Sequence, residues 1–333
     1  MDNDYDVGTR PPVFARPIEN RAMDRHALLL MGPTASGKTD VAVSLCKRFP
    51  FDIVSVDSAL VYRGMDIGTA KPDAETLQRA PHRLIDIRDP EESYSAGDFV
   101  RDAWREMDQI HAAGRVPLLV GGTMMYFRAL TEGIAELPDA NPEVRESIDA
   151  EAQARGWPAM HARLAEADPD AAGRIKPNDK QRIQRALEVW MTSGRTLSEW
   201  QQDAGPQRND VHFHKVALQL EPRKLLHDRI EQRLGLMLEQ GFLAEVRDLM
   251  ARPMLSRDAA SMRAVGYRQI WAHLAGDYSL EEGRYRALVA TRQLAKRQIT
   301  WLRSETELNC FDPLEAATID DISTFACASI FQA

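Results

Sequence analysis

Ala27-Leu28-Leu29-Leu30-Met31-Gly32-Pro33-Thr34-Ala35-Ser36-Gly37-Lys38-Thr39 decides how the rest of the chain is read. Its first five residues make a short buried strand and the next eight a glycine-bounded loop. From Asp40 to Phe49, Val41, Val43, Leu45 and Phe49 then follow a helical pattern, with Lys47 and Arg48 late, where they favour the helix dipole. Strand, loop and helix in that order are the setting of a P-loop. Phosphate oxygens bind there to a concave run of backbone N–H groups at a helix N-terminus, an approach that loop side chains would block. Gly32 and Gly37 remove the obstruction, Lys38 supplies a point charge, and the Thr39 hydroxyl is placed to hold Mg²⁺. Thr34 and Ser36 add hydroxyls, and Pro33 and Ala35 complete the phosphate-binding run. The loop does not name its cargo, and ATP fits it as well as any other phosphate compound.

Beyond Pro50, Asp52-Ile53-Val54-Ser55-Val56 reads as a second buried strand with Asp57 at its carboxyl end. Ligands of open α/β sheets sit outside that edge, so Asp57 and Lys38 are expected to face one crevice. A direct catalytic carboxylate is favoured for Asp57, against a turn cap or a Mg²⁺ contact made through water. Val116-Pro117-Leu118-Leu119-Val120 is another buried strand, delivering Gly121-Gly122-Thr123 to the same edge. That triplet admits a ligand close to the backbone, and a plain tight turn explains it equally well. The expected fold is α/β: a P-loop NTPase-like core with a parallel sheet, a helical insertion domain and a helical C-terminal region.

At 333 residues the chain has room for about two domains. No apolar run approaches the roughly 18 residues of a membrane span, so no membrane partner is expected. Residues 1–24 mix Asp, Arg, Pro and Asn without an apolar signal core and read as a mobile N-terminal tail. Cys46, Cys310 and Cys327 form no C-x-x-C pair, which fits a reducing, cytoplasmic compartment. A net charge of −8 argues against unspecific coating of nucleic acid, so local clusters carry more information.

Ser58 to Pro72 has neither a helical nor a strand period and reads as a site-lining loop. Together with Gly32 to Thr39 and Asp57-Ser58, its run Val61-Tyr62-Arg63-Gly64-Met65-Asp66-Ile67-Gly68-Thr69-Ala70-Lys71-Pro72 closely resembles the tRNA dimethylallyltransferases. The resemblance implies an enzyme that moves a five-carbon allyl group from dimethylallyl diphosphate to N6 of the adenine 3′ to the anticodon. Its partners would be that diphosphate and a tRNA anticodon stem-loop, its cofactor Mg²⁺, and its form a monomer. By the same resemblance Thr123 lies beside the target adenine, making Asp57, Thr123 and Lys38 the catalytic set. Asp57, Ser58, Ala59 and Leu60 would border the tRNA, although many members carry Gln where this chain has Leu60. His82-Arg83-Leu84-Ile85-Asp86-Ile87 resembles the family's next segment, with a second His usual at Arg83, and Leu84 to Ile87 reads as a short third strand.

The core is expected over residues 25–136. Within it, Phe99, Val100, Ala103, Trp104 and Met107 share a helix face, with Trp104 in the core. Strand signals then vanish over 137–207, entered at Pro138 and Pro142 and left at Pro206, which suits the family's small mobile domain. Its helix from Asp179 to Trp190, with Asn178 as N-cap, turns Ile183, Leu187 and Trp190 inward. Arg182 and Arg185 fall on another face, ordinarily a solvated one. Resemblance to the family's motif makes Gln181, Arg182, Ile183, Gln184 and Arg185 tRNA contacts.

Lys215 to Leu220 reads as the return strand of a 208–221 core segment, with His212 and His214 on the surface. A helical tRNA-binding region is expected over 222–310, followed by a C-terminal tail over 311–333. Leu226, Ile230, Leu234 and Leu238 form a stripe ended by Gly241, with Arg229 and Arg233 on a neighbouring face. Resemblance sends one of these arginines, taken as Arg233, to the diphosphate, and places Arg263, Gly266, Tyr267 and Arg268 near nucleic acid. From Arg284 to Arg303 six cations occur with no acid. In an acidic chain this single-sign helix points to a phosphate backbone, contacted by Arg292, Lys296 and Arg297, rather than to a solvated face. Trp301 reads as core before stacking platform.

Three rivals share parts of this reading. A small-molecule or nucleotide kinase explains the P-loop but leaves Asp57 to Pro72 and the basic helix without purpose. A nucleotide-switched RNA-binding protein needs no chemistry, and an enzyme prenylating free adenine nucleotides needs no basic helix.

Overall fold

The computed structural model describes residues 25–135, 137–203, 205 and 208–332; the tail expected over 1–24, and Pro206, lie outside them. Six parallel strands form one sheet: β1 (Arg25–Met31), β2 (Phe51–Val56), β3 (His82–Arg83), β4 (Val116–Gly121), β5 (Val211–Leu218) and β6 (Leu308–Phe311). Their order is β3-β2-β4-β1-β5-β6. Met31 pairs with Gly121 and Val56 pairs with the same glycine, so the carboxyl ends of β1, β2 and β4 meet at one edge.

Both faces of this sheet are covered, which is why the strands read as continuous apolar runs. Leu28, Leu30, Ile53 and Val216 face α1 (Lys38–Arg48) and the C-terminal helix, while Leu29, Met31, Val54 and Leu119 face the opposite layer. That layer includes α3 (Ala96–Ala112) and α4 (Met124–Glu132), whereas the short α2 (Ala74–Arg79) buries no residue and its C-cap Ala80 packs on the α1 side. Ser95 caps α3 reciprocally with Asp98, and Phe99, Val100, Ala103, Trp104 and Met107 are buried as their spacing predicts.

Between β4 and β5 come α5 (Pro142–Arg155), α6 (Trp157–Ala167), α7 (Pro169–Arg174), α8 (Lys180–Ser193) and α9 (Leu197–Gln202). They enclose their own apolar cluster of Ile148, Met160, Leu164, Ile183 and Leu187. After β5 follow α10 (Arg223–Glu239), α11 (Phe242–Met250), α12 (Tyr267–Leu274) and α13 (Leu280–Leu302), then β6 and α14 (Thr318–Ala326).

Several sequence expectations are corrected. Leu84 to Ile87 is no strand, because Leu84 and Asp86 take positive φ and the segment instead hydrogen-bonds Leu60 and Val61, with Asp86, Ile87 and Arg88 donating. The sheet pairing falls on His82 and Arg83. Asp179 rather than Asn178 caps α8, its carboxylate accepting from the Arg182 N–H at 3.3 Å. The return strand starts earlier than Lys215, and His214 is half-buried beside His26, with ring nitrogens 3.0 Å apart. Residues 308–311, expected where a helical region ends and a tail begins, form instead an edge strand paired with β5. Ile322, Ala326 and Ile330 pack into the core beside Leu45 and Phe51, so this region is part of the core rather than a tail.

Candidate active site

Gly37, at φ 89, sits at the N-cap of α1, and no side chain among the described residues caps the helix. The first N–H groups of an 11-residue helix are therefore open to an anion. A Cβ on Gly32 would meet Ser36 Oγ and the Leu218 carbonyl at 2.8 and 3.0 Å, so any side chain there would push the loop from its seat. Ala35 is held at φ 64, and its carbonyl accepts from Arg229 Nε at 2.9 Å. Lys38 folds back to donate to the Pro33 carbonyl at 2.7 Å. Burial, reinforced by the charge of Arg233 and opposed by Asp57, lowers its pKa to about 7. An arriving diphosphate would reverse that balance by supplying the missing negative charge.

Across the strand ends, Asp57 Oδ1 accepts from the N–H groups of Ala59 and Leu60 at 2.8 and 3.3 Å. The carboxylate thus shapes its own turn, while Oδ2 has no hydrogen-bond partner among the described residues. Thr123 Oγ1 accepts from the Ser58 N–H at 3.1 Å, tying the turn after β4 to the turn after β2. Thr34 to Thr39 of the P-loop, Asp57 to Leu60, Thr123, Arg229, Arg233, Arg263, Gly266 and Arg297 all line one cleft of about 1130 Å³, while Gly32 and Pro33 lie behind the lining.

Two residues that sequence reasoning missed hold this cleft in shape. Glu245 on α11 accepts from the N–H groups of Asp66, Ile67 and Gly68 at 2.6–3.1 Å, fixing the 58–72 loop over the site. Gly68 is required there because a Cβ would overlap the Phe242 ring. Gln298 on α13, buried at 8% exposure, accepts from the Thr34 N–H at 2.9 Å and donates to the Gly122 carbonyl at 2.8 Å. Each is an ordinary polar residue on an amphipathic helix whose backbone partners lie more than 170 positions away, so no local pattern marks it.

With this geometry in hand, the sequence matches the IPP transferase family over residues 60–305. The chain belongs to that family. It is 36% identical to the tRNA isopentenylpyrophosphate transferase of Bacillus halodurans, with 93% of this chain and 98% of that one covered and a TM-score of 0.68. To the tRNA delta(2)-isopentenylpyrophosphate transferase of Staphylococcus epidermidis it is 30% identical, covering 91% and 99%, with a TM-score of 0.66. A eukaryotic dimethylallyltransferase acting on tRNA shares the fold at a TM-score of 0.75 and 23% identity, with 92% and 79% covered. The P-loop α/β fold expected of the chain is therefore that of its family.

Other candidate residues differ in how far a partner can reach them. Tyr267 is fully buried, its hydroxyl donating to Glu245 at 2.5 Å, and Gly266 is buried as well, while Arg263 and Arg268 are exposed to a partner. Ile183 is likewise fully buried, which makes it a core residue of the α5–α9 cluster and removes its side chain from any tRNA. Gln184 bonds Asp149, and Arg185 is spent on Glu188 and the Pro138 carbonyl. None of Gln181 to Arg185 lines the cleft. Trp301, expected in the core, is half-buried, lines the cleft and lies under Arg128. On α13, Arg292 pairs with Glu231 at 2.9 Å, whereas Lys296, Arg297 and Arg303 are exposed and have no ion pair among the described residues.

The donor set also bears on Mg²⁺. No cluster of three or more His, Cys, Asp or Glu among the described residues could hold a metal ion. Mg²⁺ takes oxygen ligands, keeps several waters and needs only one or two protein oxygens when phosphates supply the rest. Thr39, lining the cleft at the helix start, fits an ion that arrives with the diphosphate. No helix among the described residues is long and apolar enough to cross a membrane.

Proposed function

We infer that this chain transfers a dimethylallyl group from dimethylallyl diphosphate to N6 of the adenine beside the anticodon of tRNA. The observation that carries the reading is one cleft joining a phosphate-binding helix start, a carboxylate oxygen and a rim cation, Arg297, the last two without a hydrogen-bond or ion-pair partner among the described residues.

The adenine N6 amine is a weak nucleophile, because its lone pair is delocalised into the ring. Asp57 Oδ2 accepts an N6 hydrogen and orients the amine, taking the proton as N6 bonds to the allyl carbon. Thr123, bridged to Ser58 on the opposite turn, positions the base. The allyl C–O bond breaks as the new C–N bond forms, and its electron pair leaves with the diphosphate. Loop N–H groups, Lys38, and Arg229 or Arg233 meet the charge developing on that leaving group. Thr39 would hold Mg²⁺, which offsets the same charge when bound. A stacked adenine must leave the anticodon loop to reach this cleft, with Arg263, Arg268, Lys296 and Arg297 holding the flanking backbone.

Labelled dimethylallyl diphosphate, Mg²⁺ and either unmodified tRNA or AMP, with ATP as a phosphoryl-donor control, test the reading. Label should enter tRNA only, and ATP consumption without prenyl transfer would overturn it. Asp57→Ala should lower kcat by about 10²–10⁴-fold with little change in tRNA affinity. An equal loss in both would make Asp57 a binding residue.

A further inference from the structure

Gln298 joins the two halves of the site through a single side chain. Its amide spans the P-loop after β1 and the glycine turn after β4, two neighbouring strands whose carboxyl ends both open on the cleft. The span uses both ends of the amide, one as acceptor and one as donor, so no carboxylate or apolar side chain of similar length reproduces it. The fit is close, because a Cβ on Gly122 would collide with Gln298 Nε2. Gln298 belongs to α13, a 23-residue helix whose adjacent residue, Arg297, projects into the cleft with no ion pair among the described residues. A small shift of so long a helix moves both hydrogen bonds together, and such bonds weaken steeply with misalignment.

We propose that Gln298 is a positioning residue coupling the two substrates: tRNA held on α13 sets, through this amide, the geometry of the phosphate loop and of the turn carrying Thr123. The proposal rests on the prenyl-transfer reading given above. It implies that tRNA and diphosphate bind cooperatively, each tightening the other by the same factor.

The test measures binding of a non-reacting thiolodiphosphate analogue of dimethylallyl diphosphate, with Mg²⁺, in the presence and absence of an unmodified anticodon stem-loop RNA. In the wild type the RNA should tighten the analogue on the order of tenfold. Gln298→Met loses both hydrogen bonds at similar volume, and Gln298→Asn keeps the amide but is too short to span the lips. In either variant the ratio should fall to about twofold or less. A residue that merely supports the fold would weaken both affinities and leave the ratio intact. That result, or a wild-type ratio of one, overturns the proposal, and the Asn variant decides if the Met variant does not fold. A wild type that transfers no prenyl group to tRNA refutes the functional reading instead, since the binding ratio requires no turnover.

Discussion

Helices α8 and α13 carry helically spaced cations on amphipathic patterns, and in one dimension Arg182 and Arg185 look much like Lys296 and Arg297. Their surroundings separate them. On α8, Glu188 is fully buried and accepts from Arg145 at 2.9 and 3.1 Å, from Arg185 at 2.8 Å and from the Asn141 N–H at 2.8 Å. On α13, Lys296, Arg297 and Arg303 are exposed with no ion pair among the described residues. An arginine is available to a phosphate only when no carboxylate of its own chain has claimed it. Charge on a helix face therefore says less than whether the neighbouring acids are in reach.

The largest break in this comparison should come at Glu188. Glu188→Ala leaves two arginines without their shared partner and should destabilise the α5–α9 cluster by about 3 kcal/mol. Hydrogen exchange of α5 and α8 would report the loss locally. Burial opposes the charged carboxylate, yet hydrogen bonds from Arg145, Arg185 and Asn141 outweigh it and hold the Glu188 pKa below its ordinary 4.5. The sign follows from that depression: the contribution is complete above about pH 4.5 and is lost as pH falls through the lower folded value. Glu188→Gln should remove this acid sensitivity. Unchanged exchange, with weaker tRNA binding instead, would mean that the cluster serves RNA rather than the insertion's own stability.

Next in size is the opposite experiment on α13. Replacing Lys296, Arg297 and Arg303 together by Ala should leave thermal stability nearly unchanged and reduce the salt dependence of tRNA binding by about two to three. Arg292→Ala should do less, because Glu231 already neutralises it. A salt slope unmoved by the triple change would turn this face away from RNA.

What was readable in the sequence follows the same division between local and distant partners. The P-loop, β2 with Asp57, β4 with its glycine turn, and the face of α3 are set by residues within one or two turns of each other. Leu84 to Ile87 has the composition of a strand, but its N–H groups are taken by Leu60 and Val61. Leu308 to Phe311 is a short, half-exposed edge strand whose partner β5 lies far back in the chain. Glu245 and Gln298 are invisible for that reason too: a glutamate and a glutamine on helices become site residues only when another element brings N–H groups to them.

The finest division lies inside α8. Arg182 is 71% exposed and, among the described residues, pairs only with Asp179, one turn back at 3.4 Å, a solvated pair worth well under about 1 kcal/mol. Arg185, three residues on, is bound to a buried carboxylate and a backbone carbonyl. We therefore propose Arg182 as a tRNA contact reached from outside the cleft and Arg185 as part of the insertion's own structure. Arg182→Ala should lower the tRNA salt slope by just under about one while leaving the melting temperature unmoved. Arg185→Ala should leave the slope alone and cost about 2 kcal/mol of stability, the worth of a hydrogen bond to a charged group. Slopes lowered equally by both would mean that RNA displaces Glu188 from Arg185. In that case the insertion must rearrange on binding, since a fully buried acid does not release its partner without exposing itself.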